Sequence, residues 1–234
     1  MAKKNNKTDD QFAKVESALT RTEQYVEDNQ GKLMKIIGGI ILVIAIYVGY
    51  GKFILDPLEE DAQSEMFYAE IYFAKDSFNL ALNGDGQYLG FIDISDEYSG
   101  TKPGNLANYY AGLSYLHLKD YENAIDYLKE YSSDDIILSS LAIGCIGDAY
   151  LELGEQDMAL EYFQDAADNN DNGFTTPRFL MKQAIVLELQ EDYEGALELY
   201  KRIKSDYKSS KEGQNVTQYI SRAEDIIGSA SINS

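Results

Sequence analysis

Apolar residues fill positions 36–51 without a charge between Lys35 and Lys52, and the rest of the chain breaks into short apolar clusters set among polar residues. These clusters recur every three or four residues, the signature of amphipathic helices and not of strands. The uninterrupted run is different, because it is apolar on every face. Its 16 residues fall slightly short of a hydrocarbon slab about 30 Å thick at a rise of about 1.5 Å per residue. Counting residues 33–55 restores a full transmembrane helix, with Lys35 and Lys52 snorkelling toward headgroups and Tyr47, Tyr50 and Phe53 suited to an interface. Gly38, Gly39, Gly49 and Gly51 favour a membrane helix over a buried soluble one. More than thirty mostly polar residues precede the run and no small-residue cleavage site closes it, so the span is expected to persist as an anchor.

Beyond the span, self-comparison shows a period close to 34 residues. The clearest copy is Gly147-Asp148-Ala149-Tyr150 followed by Gly154, Ala159, Phe163 and Ala166. Before it, equivalent positions hold Gly112, Tyr115, Ala124, Leu128 and Tyr131; after it they hold Ala184, Leu187, Ala196, Tyr200 and Ile203. Small residues at helix crossings let neighbouring helices approach closely. The pattern resembles the tetratricopeptide repeat, which implies an all-α solenoid. Lys119-Asp120-Tyr121-Glu122, Gly154-Glu155-Gln156-Asp157 and Glu191-Asp192-Tyr193-Glu194 fall at one phase and predict turns within the pairs. A degenerate fourth copy is expected earlier, with Phe78 and Ala81 on its first helix, a flexible turn at Gly84-Asp85-Gly86, and Gly90 and Ile94 on its second. A helix entering it is expected to begin at Pro57 behind Asp56 as cap, with Phe67, Tyr68, Tyr72 and Phe73 as core. Val216, Tyr219, Ile220, Ala223, Ile226 and Ile227 predict a capping helix that Gly228 ends.

These boundaries divide the chain into a tail at 1–32, a transmembrane helix at 33–55, a repeat domain at 57–228 and a frayed end at 229–234. The tail is mildly amphipathic through Phe12, Val15, Leu19 and Val26, which predicts a solvated or surface-lying helix. Arg21, Lys32 and Lys35 precede the run, while Asp56, Glu59, Glu60 and Asp61 follow it. The positive-inside rule therefore puts the tail in the cytoplasm and the repeats across the membrane, in the periplasm of a diderm bacterium.

Charge narrows the partners, since 34 acidic residues against 12 basic ones follow Lys52. Such a surface does not neutralise phosphates, which excludes nucleic acid. Cys145 is the single cysteine, so no internal disulfide forms.

Candidate chemistry is sparse. Asp168-Asn169-Asn170-Asp171-Asn172-Gly173 matches half of a calcium loop, but Phe179 stands where a bidentate glutamate should close the cage. The segment reads as a solvated inter-repeat loop. Gly84-Asp85-Gly86-Gln87-Tyr88-Leu89-Gly90 misses dinucleotide spacing and follows no strand. One histidine, His117, and one cysteine provide no zinc set. No catalytic, cofactor-binding or metal residues are therefore assigned, and an enzyme is not expected.

The tetratricopeptide resemblance implies a protein-binding groove along the first helix of each repeat. Its positions map to Tyr109, Leu113, Leu116 and His117, to Leu141, Asp148, Leu151 and Glu152, and to Met181, Ile185, Glu188 and Leu189. That groove is expected to be apolar and mildly acidic, without the lysine and asparagine clamp that captures chaperone tails. Taken with the fragment Thr22-Glu23-Gln24-Tyr25-Val26-Glu27-Asp28-Asn29-Gln30 before the span, the whole plan resembles the YfgM-like ancillary proteins of the bacterial Sec translocon. The stretches Ser77-Phe78-Asn79-Leu80-Ala81-Leu82-Asn83-Gly84-Asp85-Gly86 and Gly104-Asn105-Leu106-Ala107-Asn108-Tyr109-Tyr110-Ala111-Gly112 resemble tetratricopeptide membrane proteins common in Bacteroidota. The resemblance implies an inner-membrane adaptor whose partners are translocon subunits, chaperones or unfolded clients. The alternative is a structural scaffold of another envelope complex with one fixed partner.

Overall fold

The structure is a computed structural model that describes the backbone of residues 6–232 and the side chains of residues 23–230. It divides into two compact units, residues 1–57 and 58–234.

The first unit is dominated by one helix, α1 (Asn6–Tyr50). The tail and the apolar run are continuous within it, so the break that a surface-lying tail requires is absent. No residue from 23 to 55 is buried. This is the one helix among the described residues long and apolar enough to cross a membrane.

Asp56 and Pro57 do not open a new helix. Helical hydrogen bonding passes through a π turn (Gly51–Leu55) directly into α2 (Asp56–Ala74), and the Asp56 N–H donates to the Gly51 carbonyl. The reason is the proline: it offers no N–H, and its ring crowds the carbonyl four residues back. A wider turn just before it accommodates both demands.

The second unit is a succession of helical pairs. After α2 come α3 (Phe78–Asn83) and α4 (Phe91–Glu97), then α5 (Lys102–Leu118), α6 (Tyr121–Glu130), α7 (Ile136–Glu152), α8 (Gln156–Asp168), α9 (Thr176–Leu189), α10 (Tyr193–Asp206), α11 (Lys211–Asn215) and α12 (Thr217–Ile232). Three pairs, α5/α6, α7/α8 and α9/α10, recur with their turns at Lys119, Gly154 and Glu191, the third spaced a few residues wider by the 169–175 junction, and α12 packs on the last of them. Gly112 meets Leu128 and Gly147 meets Phe163 across these pairs so closely that a Cβ at either would lie under 3.0 Å from the partner ring or chain. Small residues thus set the helix spacing, as the sequence pattern requires.

The turns inside the pairs share a mechanism. Lys119, Gly154 and Glu191 each take a left-handed conformation, with φ of 62°, 83° and 64°. Asp120 and Asp192 then cap α6 and α10 by accepting from the Asn123 and Gly195 N–H groups. Only Gly154 adopts positive φ without a Cβ penalty. Glu191→Gly should therefore raise stability by roughly 0.5–1 kcal/mol. A melt followed by helical circular dichroism reads this as a rise of about 2–4 °C, and a fall would refute the strain argument.

The earliest pair departs from expectation. Its first helix is α2, while Phe78, Ala81 and Ile94 all belong to its second arm, which residues 84–90 interrupt. Met66, Ala69, Ala81, Leu82, Phe91 and Ile94 join Ala107 and Ala111 in one buried cluster. The interrupting loop is not loose. Asp85 accepts from the Gln87 and Tyr88 N–H groups at 2.9 Å each and from the Tyr72 hydroxyl at 2.7 Å. Gly84 has φ of 71°, and a side chain there would strike the Tyr88 carbonyl. Gly228 also fails to end its helix, because α12 runs on to Ile232; the frayed end predicted for 229–234 is helical over 229–232, and residues 233–234 lie outside the described residues.

Candidate functional site

The twelve positions inferred for the groove separate into three groups once packed. Tyr109 is buried with Ile125, Leu128, Ala142, Ile146 and Ala149, and its ring lies 5.1 Å from that of Tyr131. Burial pushes its phenol well above the usual tyrosine range. Leu113 and Leu116 pack partly buried on the same cluster, and Leu141, Leu151 and Met181 do so on the next. These six side chains join neighbouring repeats, so they are core before they are surface.

The second group is ionic. Asp148 on α7 pairs with Lys182 on α9, and Glu188 on α9 pairs with Arg222 on α12. Both pairs span 34 residues, so each first helix presents its acid to a base on the next. Glu152 accepts a hydrogen bond from the Tyr121 hydroxyl at 3.1 Å. The row expected to be mildly acidic is therefore compensated. Lys182 and Arg222 were legible in principle, as basic residues one period beyond the acids.

The third group remains open. Ile185 is 38% exposed and Leu189 56% exposed. His117 is exposed and stacks on Phe78, with ring centroids 4.2 Å apart and planes 2° from parallel, and it meets the edge of Phe73 at 6.1 Å. It caps the aromatic cluster of the preceding pair.

Cys145 lies on α7 between these groups, near Asp148, Lys182 and Arg178. Loss of solvation, reinforced by the Asp148 charge, pushes its thiol up to about 12 against the opposing pull of Lys182 and Arg178. The side chain is partly buried, and the thiolate is scarce at neutral pH. Native protein should alkylate far more slowly with iodoacetamide at pH 8 than protein unfolded in urea. Equal rates, read by intact mass, would contradict this partial burial and raised pKa.

The half calcium loop is occupied by its own contacts. Asn172 Oδ1 accepts from the Phe174 and Thr175 N–H groups at 2.9 and 2.8 Å, Asn169 donates to Ser139 at 2.8 Å, and Asp171 accepts from the Tyr207 hydroxyl at 2.6 Å. It is a wired junction between repeats, not a merely solvated loop. Among the described residues no group of three or more His, Cys, Asp or Glu side chains is placed to hold a metal. The clefts lie elsewhere. One of about 590 Å³ opens between α4, α5 and α6 beside Asp96, Asn108, Asp126 and Lys129. Another of about 350 Å³ opens among α8, α9 and α10 beside Leu160, Leu187 and Arg202.

This architecture of stacked helical pairs is that of a tetratricopeptide-repeat solenoid. Tetratricopeptide-repeat family patterns match residues 106–134 and 146–210, so those two segments carry tetratricopeptide repeats. Among solved structures, a crystal structure of MamA protein superposes with a TM-score of 0.54 at 19% identity, covering 72% of this chain and 84% of that one. A second crystal structure of MamA gives a TM-score of 0.46 at 16% identity, covering 70% of this chain and 96% of that one. The first likeness concerns the fold alone. No curated protein matches the chain.

Proposed function

We propose that the protein is a membrane-tethered, non-catalytic interaction scaffold, acting as a translocon-associated adaptor that helps pass secreted or envelope proteins to periplasmic chaperones. Residues 33–55 are the single span, the tail at 1–32 is cytoplasmic and the repeat domain at 57–228 is periplasmic, at the inner membrane. The observation that carries this reading is the union in one chain of an apolar helix without a buried residue and a protein-binding repeat array. The tether keeps the array at high local concentration beside a membrane machine.

Within the array, Ile185 and Leu189 are the apolar positions of the first-helix row open to a client. Photo-crosslinkers at these two positions in intact cells should capture translocon subunits, chaperones and many emerging chains. Purification in mild detergent should recover the same translocon subunits, and their reproducible absence would defeat the adaptor reading. A single constant partner would instead mark a structural scaffold of another envelope complex. The compensated charges and packed leucines of the row favour that second reading, because they leave a small, specific patch. A reporter fused after Ser234 that works only in the cytoplasm would reverse the topology.

A further inference from the structure

Every third and fourth residue of α1 repeats with a strict alternation. Positions 12, 15, 19, 22, 26, 29, 33, 36, 40, 43, 47 and 50 hold Phe, Val, Leu, Thr, Val, Asn, Leu, Ile, Ile, Val, Tyr and Tyr. None carries a charge, although nine of the 25 residues 8–32 are charged. This is the spacing of a coiled-coil a/d seam, in one register from the tail into the apolar run. The register ends where the π turn begins.

We infer that α1 pairs with a second copy of this chain as a parallel coiled coil, with residues 12–33 forming its seam outside the bilayer and the span continuing it. Three observations name the occupant. First, the tail helix is continuous with the apolar run, so it leaves a membrane along the helix axis and does not turn into the surface plane. Second, the whole tail 1–32 balances six acids against six bases, so it has no excess positive charge to hold it on anionic lipid. Third, the flanking positions fit only one order. In parallel register Gln11, Ala18 and Tyr25 face Glu16, Glu23 and Gln30 of the other copy without opposing like charges, whereas antiparallel order sets Glu16 against Glu23. Two copies inserted with one topology are parallel by construction; this last step rests on the single-span reading, which alkaline carbonate extraction tests separately.

The test is disulfide crosslinking of the full chain in native membranes, in a Cys145→Ala background. Val26→Cys and Asn29→Cys lie on the seam; Gln24→Cys and Asp28→Cys lie away from it. Because a disulfide needs Cα atoms about 4.4–6.8 Å apart, the seam positions should give at least about five times more dimer. Adding Val26→Asp to the Asn29→Cys chain should abolish that dimer while the protein still resists carbonate extraction. Equal crosslinking at both phases, or none at either, overturns the proposal, the latter outcome being what lipid or an unrelated partner on the seam produces.

Discussion

Gly144→Val should cost the repeat domain about 3–4 kcal/mol, because it overpacks the place where the Phe179 ring of α9 sits against α7. The residue sits where α7 meets α9. A Cβ there would fall inside the Phe179 ring, closer than real Cβ atoms approach any neighbour. Phe179 has nowhere to go: it is 2% exposed and packs against Phe163, itself fully buried, at 6.4 Å between centroids. Relief therefore requires the second and third pairs to part, which exposes the cluster of Phe163, Phe179, Leu180, Ala184 and Val186. Urea unfolding followed by circular dichroism should show a lower midpoint with little change in slope. An unchanged midpoint would mean that α9 slides without loss, against the packing described.

A larger loss is expected from truncation after Asn215, which removes α12. Val216 and that helix cover the final pair with Val216, Ile220 and Ala223, all buried, and their loss uncovers Tyr200 and Ile203. At about 1.5–3 kcal/mol per buried aliphatic or aromatic side chain, the exposure amounts to roughly 5 kcal/mol or more. Loss of the Arg222 partner additionally leaves Glu188, whose side chain is mostly buried, without its base. That is a large part of the roughly 5–15 kcal/mol available to a domain. The truncated chain should lose cooperative unfolding or aggregate, as solenoids without caps do. A cooperative, soluble truncation product would show that the last pair stands without its cap.

The repeat array was legible because its determinants are local and periodic. Gly112, Gly147 and Ala184, the phased turns, and the apolar stripe of α12 each announce a helix and the face that it buries. Three features were not legible, for different physical reasons. Gly144 reads as an incidental neighbour of Cys145, since nothing near it in sequence reveals that Phe179 approaches from another repeat. The π turn depends on how a proline is absorbed by an already continuous helix, whereas isolated Asp-Pro reads as a start signal. The earliest pair was shifted because its second arm is interrupted by residues 84–90, so the period is stretched where the motif is poorest. For the groove, the positions followed from helical phase, but phase does not say how deeply a side chain sinks. Tyr109 sank into the core, while Ile185 and Leu189 stayed open. The compensating Lys182 and Arg222 belong to the next unit along and are invisible to a reading made one repeat at a time.

Those two ion pairs also limit how this array can lengthen. Solenoids grow by copying a unit, and a copy is tolerated when each unit offers its neighbour the same surface. Here it would not. By the alignment of Gly147 with Ala184, the counterpart of Lys182 in the second repeat is Cys145. A duplicated second repeat would set the carboxylate of Asp148 against a shielded thiol in place of an ammonium group. The units are periodic in backbone yet individual at their junctions, so the number of repeats is written into the sequence of each one.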